Sequence, residues 1–71
     1  MREAIYENKA EQALHDGAID ALADEMHLDV DDVRPVYERN YLRLRPTARV
    51  RDFLPVLVAR RTRDALLEQM R

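Results

Sequence analysis

The hydrophobic positions of the chain recur at helical spacing in three segments. In the first segment Ile19, Leu22, Ala23 and Met26 stand at i, i+3, i+4 and i+7, which puts them on one face of a helix. The second segment repeats the pattern with Val33, Val36, Tyr37, Tyr41 and Leu44. The third contains Phe53, Leu54, Val56, Leu57, Val58, Ala59, Ala65, Leu66, Leu67 and Met70. The pattern predicts an all-α protein, a three-helix bundle that forms one domain over residues 1–71.

The starts of the second and third helices carry the same combination of residues. Asp32 precedes Pro35 by three positions, and Asp52 precedes Pro55 in the same way. If each aspartate is the N-cap, each proline falls at N3, where its missing N–H has no intrahelical partner to lose. We therefore predict that these helices begin just after Asp32 and Asp52.

The N-terminal segment, residues 1–17, has a weaker helical pattern than the rest. It is rich in good helix formers, but Gly17 and an N-capping Asp16 are also suited to a break in the chain. Two interpretations remain open: residues 1–17 are a helical extension of the core bundle of residues 18–70, or they are a frayed arm.

The third helix has more apolar surface than a monomer needs. Between Phe53 and Ala59 it is apolar on all sides except at Pro55, whereas one apolar stripe is enough to pack on two neighbouring helices. We expect a homodimer, with an unidentified protein partner as the alternative cover. The predicted contact residues are Phe53, Leu54, Leu57, Val58 and Arg61, with Tyr37 and Tyr41 nearby.

The sequence does not distinguish a residue buried in the core of one chain from a residue buried in a dimer contact, because both positions are apolar. The pair Tyr37 and Tyr41, one helical turn apart, fits either of them better than it fits a stacking platform for bases.

Charge divides the chain into two unlike parts. Residues 1–33 contain ten acidic side chains and two basic ones, whereas residues 34–71 contain ten arginines and four acidic side chains. We expect the acidic helix to pair with the arginine-rich helices, within one molecule or across an antiparallel dimer. The other interpretation is an exposed anion-binding patch, for which the candidates are Arg39, Arg43, Arg45, Arg49 and Arg51.

The residue types needed for common catalytic sites are scarce. Serine and cysteine are absent from the sequence, and neither Thr47 nor Thr62 lies in a motif that pairs it with a base. His15 and His27 are too far apart to form a metal-binding pair on one helix face, and we interpret both as solvated or capping residues. We expect no catalytic activity, no cofactor and no bound metal.

The acidic run at Asp29, Asp31 and Asp32 matches only half of a calcium-binding loop. The glycine turn and the distal glutamate of such a loop are missing, so we interpret these aspartates as acidic residues at the start of the second helix.

Hydropathy gives an expectation for location. The sequence has no apolar run of about 18 residues, and its first residues lack the apolar core of a signal peptide. We expect a cytoplasmic protein that does not span a membrane.

An alternative function is DNA binding through a helix-turn-helix. The first two helices and the short turn between them fit that motif, with the second helix as the recognition helix and the arginine-rich surface around helices two and three in support. The acidic residues at the start of the second helix argue against it, because they would repel the phosphates.

Residues 50–61 carry a family resemblance. Their core, Arg-Asp-Phe-Leu-Pro-Val-Leu-Val, together with Leu22-Ala23 and the pair Val33 and Tyr37, resembles the short bacterial three-helix dimerization domains. Those domains occur alone as uncharacterised proteins and also fused ahead of arsenate-reductase-like or phosphatase-like domains. The resemblance covers about residues 19–68 and implies a homodimeric three-helix bundle without chemistry of its own.

Overall fold

The computed structural model describes Tyr6, residues 8–46 and residues 54–70. Three helices make up nearly all of this part of the chain: α1 (Lys9–Met26), α2 (Val30–Leu44) and α3 (Leu54–Gln69). The prediction of an all-α three-helix bundle is confirmed.

Helix α1 begins at Lys9, nine residues before residue 18, where the predicted core bundle begins. The side chain of Asn8 caps it by accepting a hydrogen bond from the Glu11 N–H at 2.8 Å. The helix runs through Gly17 without interruption, so the break at Asp16 and Gly17 does not occur. Of the two interpretations of the N-terminal segment, residues 9–17 are therefore a helical extension, and residues 1–5 and 7 lie outside the described residues.

Helix α1 ends in a Schellman motif. His27 adopts the left-handed conformation, with φ 57°, and its N–H bonds the carbonyls of Ala23 and Asp24. The N–H of Leu28 bonds the carbonyl of Ala23 at 2.9 Å, which is the second bond of that motif. The chain therefore turns sharply, and only residues 27–29 separate α1 from α2.

The predicted start of α2 is wrong by three residues. Asp29, and not Asp32, is the N-cap, and its carbonyl accepts hydrogen bonds from the N–H groups of Asp32 and Val33. Pro35 therefore lies inside the helix, in its second turn. Helix α2 begins early because the turn after α1 is short and because Leu28 and Val30 pack against the core. These contacts outweigh the preference of proline for the first turn of a helix.

Pro55 is the second residue of α3, so its position in the first turn of that helix is confirmed. The predicted N-cap, Asp52, lies outside the described residues.

Side-chain pairs fix the directions of the helices. Glu11 meets Tyr41, His15 meets Tyr37 and Asp16 meets Arg34, so α1 and α2 run antiparallel. Arg63, in the second half of α3, bonds Glu25 near the end of α1, while Leu54 at the start of α3 lines a concavity with Ala10 and Leu14 near the start of α1. Helices α1 and α3 are therefore parallel, and the bundle is arranged up-down-up.

The core lies between the three helices. Its apolar side chains are Tyr6, Ile19, Leu22, Ala23, Val33, Val36, Tyr37, Tyr41, Leu54, Val58 and Leu66. Thr62 is also buried, with its hydroxyl donating to the Val58 carbonyl at 2.7 Å. Tyr6 and His15 show that the core extends upstream of residue 18.

Candidate functional site

A buried cluster of aromatic and polar side chains joins α1 to α2. His15 is only 1% exposed, and its ring Nδ1 lies 2.6 Å from the hydroxyl of Tyr37. Tyr6 stacks on the imidazole at 4.8 Å between ring centroids, and Tyr41 meets it edge-on at 4.7 Å. The interpretation of His15 as a solvated or capping residue is wrong, because three tyrosine rings surround it.

Burial controls the protonation of this cluster. It lowers the pKa of His15, an effect that the nearby carboxylates of Glu11 and Asp16 partly oppose, so the imidazole is neutral near pH 7. Burial also raises the pKa of Tyr37. Tyr41 donates its hydroxyl hydrogen to Glu11, and burial together with this bond raises the pKa of Tyr41. The imidazole and the three tyrosine rings are buried, so the cluster is suited to holding α1 on α2.

Two of the predicted charge pairings are present within one molecule. Arg63 of α3 binds Glu25 of α1 through two hydrogen bonds, at 2.6 and 3.0 Å. Arg34 of α2 binds Asp16 of α1 at 2.9 Å and approaches Glu38 at 3.6 Å. The prediction that the acidic first helix pairs with the arginine-rich helices is confirmed for these two arginines.

An open groove of about 500 Å³ runs between α1 and α3. Its apolar lining comes from Ala18, Ala21, Leu22, Pro55, Val56 and Ala59, and Glu25, Arg60 and Arg63 complete it. We call this surface the α1–α3 groove. Val56 is 66% exposed there, and Leu14, one turn before Ala18 on α1, is 55% exposed. Both are large apolar side chains that a folded single chain leaves in water.

The outer face of α3 continues this apolar surface. Val56, Arg60, Arg63, Leu67 and Met70 follow one another at alternating intervals of four and three residues, so they share one face of the helix. Leu67 and Met70 are both exposed. The sequence interpretation did not select this stripe, although its spacing was visible, because two arginines interrupt it.

The residues predicted to form the dimer contact separate into three groups. Leu57 and Arg61 lie at the surface of α3, and Phe53 lies outside the described residues. The remaining four are buried in the core of a single chain: Tyr37, Tyr41, Leu54 and Val58.

The candidate anion patch is only partly assembled in the structure. Arg39 and Arg43 are exposed on successive turns of α2, and Arg49 and Arg51 lie outside the described residues. The guanidinium of Arg45 lies over the Tyr41 ring, 5.7 Å from its centroid.

Arg61 joins this patch from the neighbouring helix. With Asn40, Arg43 and Leu44 it lines a concavity of about 230 Å³ between α2 and α3, which we call the α2–α3 notch.

The described residues provide neither a metal-binding cluster nor a membrane-spanning helix. They contain no group of three or more His, Asp or Glu side chains placed to hold a metal ion. Within the same residues, every helix is too short or too polar to cross a lipid bilayer.

Comparison with known proteins identifies the family. A search of proteins with curated functions and a search of solved structures each found no match. One family model matches residues 12–71, a range that starts earlier than the resemblance over residues 19–68 and takes in His15. Because this match spans most of the chain, the protein belongs to the family described as "Protein of unknown function (DUF3562)".

Proposed function

We propose that this protein is a homodimerization module without catalytic activity, and that two copies associate through the α1–α3 groove and the adjoining outer face of α3. The observation that carries the proposal is the exposure of large apolar side chains on this one side of the bundle: Leu14, Val56, Leu67 and Met70. Large apolar side chains that stay exposed on one side of a small domain mark a surface for protein–protein contact. Leu57, exposed on the neighbouring side of α3, extends the surface.

Charge complementarity favours a second copy of the chain as the occupant. In a twofold-symmetric contact the same surface faces itself, so a self-complementary surface must carry both signs of charge. The groove combines Glu25 on α1, which binds Arg63, with a second arginine of α3, Arg60. Arg60 has no carboxylate partner among the described residues, so it is available to the acidic helix of another copy.

The size of the chain supports association as well. A domain of 71 residues buries a small core, and domains of this size without disulfides or metals often gain stability by associating. The resemblance of residues 50–61 to three-helix dimerization domains points the same way. Leu54 and Val58, the buried residues of α3 in the predicted contact, pack into the core and leave the outer face of α3 exposed.

Sedimentation equilibrium over a wide concentration range tests the proposal. We expect the wild-type protein to approach twice the 8.4 kDa mass of one chain. Val56→Glu and Leu14→Glu place a charge in the contact and should shift the protein to monomer, while circular dichroism shows that it stays helical.

Leu42→Glu is the matched control. Leu42 is an exposed leucine of α2, 46% exposed, and it lies outside the groove. The control should dimerise as the wild type does. A wild-type protein that stays monomeric at the highest concentration would overturn the proposal, and so would equal dissociation of the Leu42 and Val56 variants.

DNA binding through a helix-turn-helix has weaker support. The turn of residues 27–29 is short enough for that motif. The first turn of α2 would have to face the bases, and it exposes Asp29, Asp31 and Asp32, which repel phosphates.

A further inference from the structure

The α2–α3 notch brings together two arginines that are distant in sequence. Arg43 lies in the last turn of α2 and Arg61 lies in the middle of α3, yet both line the same small concavity. Asn40 and Leu44 form the rest of its lining. The notch shares no residue with the α1–α3 groove, so the two surfaces are separate.

The positive charge of the notch is not compensated within the described residues. Arg34 and Arg63, which face α1, each bind a carboxylate of that helix. Neither Arg43 nor Arg61 forms an ion pair in the described part of the chain, and the same holds for Asp64, one turn after Arg61. Two cations at one concavity repel each other, and a bound anion would turn that repulsion into attraction.

The side chains of the notch are suited to a phosphate group. The planar guanidinium of arginine presents paired N–H donors that match phosphate oxygens. The amide Nδ2 of Asn40 donates one hydrogen to the Val36 carbonyl at 3.0 Å, which holds the side chain in place. The second hydrogen of this amide remains to bind a phosphate oxygen. Arg39, exposed one turn before Arg43, adds to the local positive potential.

We infer that the α2–α3 notch is a binding site for a single phosphate group, either inorganic phosphate or a phosphate monoester, held by Arg43, Arg61 and Asn40. A single phosphate fits better than a nucleic acid backbone. A nucleic acid needs a long positive track, whereas here the exposed aspartates Asp32 and Asp64 lie on the same two helices.

Arg61 belongs to this notch and not to the dimer contact, and Arg45 does not belong to it because its guanidinium lies over Tyr41.

Nuclear magnetic resonance titration tests the inference. Sodium phosphate is added to the full chain at pH 7, with sodium chloride of equal ionic strength as the reference. The Nε–Hε signals of Arg43 and Arg61 and the side-chain amide signals of Asn40 should shift in a saturable way with phosphate only. Arg43→Gln and Arg61→Gln should each weaken binding about tenfold or more, since hydrogen bonds to charged groups are lost.

Arg60→Gln is the matched control, because Arg60 is also an exposed arginine of α3 but lines the other surface. Its phosphate affinity should stay at the wild-type level. The absence of a saturable shift would overturn the inference, and so would equal weakening by the Arg60 variant, which would indicate general attraction to a positive surface. If a DNA duplex bound more tightly than phosphate, with shifts spread over α1 and α2, the inference would also be overturned in favour of DNA binding.

Two further arms identify the source of the phosphate and separate this site from dimerization. Glycerol phosphate that binds more tightly than inorganic phosphate indicates a monoester ligand, while equal or weaker binding indicates free phosphate. The Arg43 variant should sediment like the wild type, so loss of phosphate binding and loss of the dimer are distinguishable.

Discussion

The imidazole Nδ1 of His15 lies 2.6 Å from the hydroxyl oxygen of Tyr37, in a place that solvent does not reach. The two residues are 22 positions apart, on antiparallel helices. Their hydrogen bond is the most deeply buried polar contact between α1 and α2 in the described part of the chain, and it fits only one alignment of the two helices.

Replacing Tyr37 by phenylalanine should destabilise the protein by about 1–3 kcal/mol. The substitution keeps the ring but leaves a buried imidazole nitrogen without its partner, and that unmet hydrogen bond is the source of the loss. Urea unfolding at pH 8 measures it. Tyr6→Phe is the control, since the buried Tyr6 hydroxyl has no hydrogen-bond partner within the described residues. It should be neutral or slightly stabilising, and an equal loss in both variants would contradict the prediction.

The stability of the protein should fall as the pH drops below about 6.5, the usual pKa of histidine. Burial lowers the pKa of His15 in the folded protein, so the unfolded chain takes up a proton first. The stabilisation is therefore complete above pH 6.5 and decreases until the pH reaches the lowered pKa of the folded state. Unfolding curves between pH 8 and pH 5 test the slope.

The variant His15→Gln should lose this part of the pH dependence, because its side chain does not titrate. A variant at His27 should keep it, since His27 is exposed at the end of α1. An unchanged slope in the His15 variant would show that another group is responsible.

Gly17→Ala should stabilise the protein by roughly 0.5–1 kcal/mol. Gly17 is an exposed residue inside α1, its φ is not positive, and an added Cβ would meet no atom within 4 Å. Alanine lowers the entropy of the unfolded chain and favours the helix. Thermal and urea unfolding measure the change, and a loss of stability would mean that the helix does not pass through this position undisturbed.

His27→Gly should raise the stability by about 1 kcal/mol. His27 is the only described residue other than glycine with a positive φ, and a Cβ is unfavourable in that conformation. His27→Ala is the control, because alanine keeps the Cβ and should give no such gain. If both variants behaved alike in urea unfolding, strain at the end of α1 would not be the cause.

Much of the fold was predictable from local features. The periodicity of the apolar residues gave the three helices, and Pro55 marked the first turn of α3, because both depend on neighbouring residues along the chain. Pro35 was misleading. A short turn closed by the left-handed His27 and the packing of Leu28 and Val30 decide where α2 begins, and these contacts come from outside the helix.

The candidate surfaces were less predictable than the fold. The apolar excess of residues 53–59 indicated a contact, but its members turned out to face two ways, with Leu54 and Val58 in the core and Val56 and Leu57 in water. A run that is apolar on all sides of a helix does not tell which side the other helices cover. The sequence also did not indicate that Arg43 and Arg61 line the same notch, because the notch forms only when α2 packs against α3.

The sequence by itself determined the all-helical bundle and the division into an acidic and an arginine-rich part, because helical periodicity and net charge are properties of the chain alone. Only the tertiary structure decided that His15 is a core residue, which arginines have a carboxylate partner and which apolar side chains remain exposed. Burial and charge compensation depend on what lies across from a side chain, and in this bundle those neighbours come from other helices.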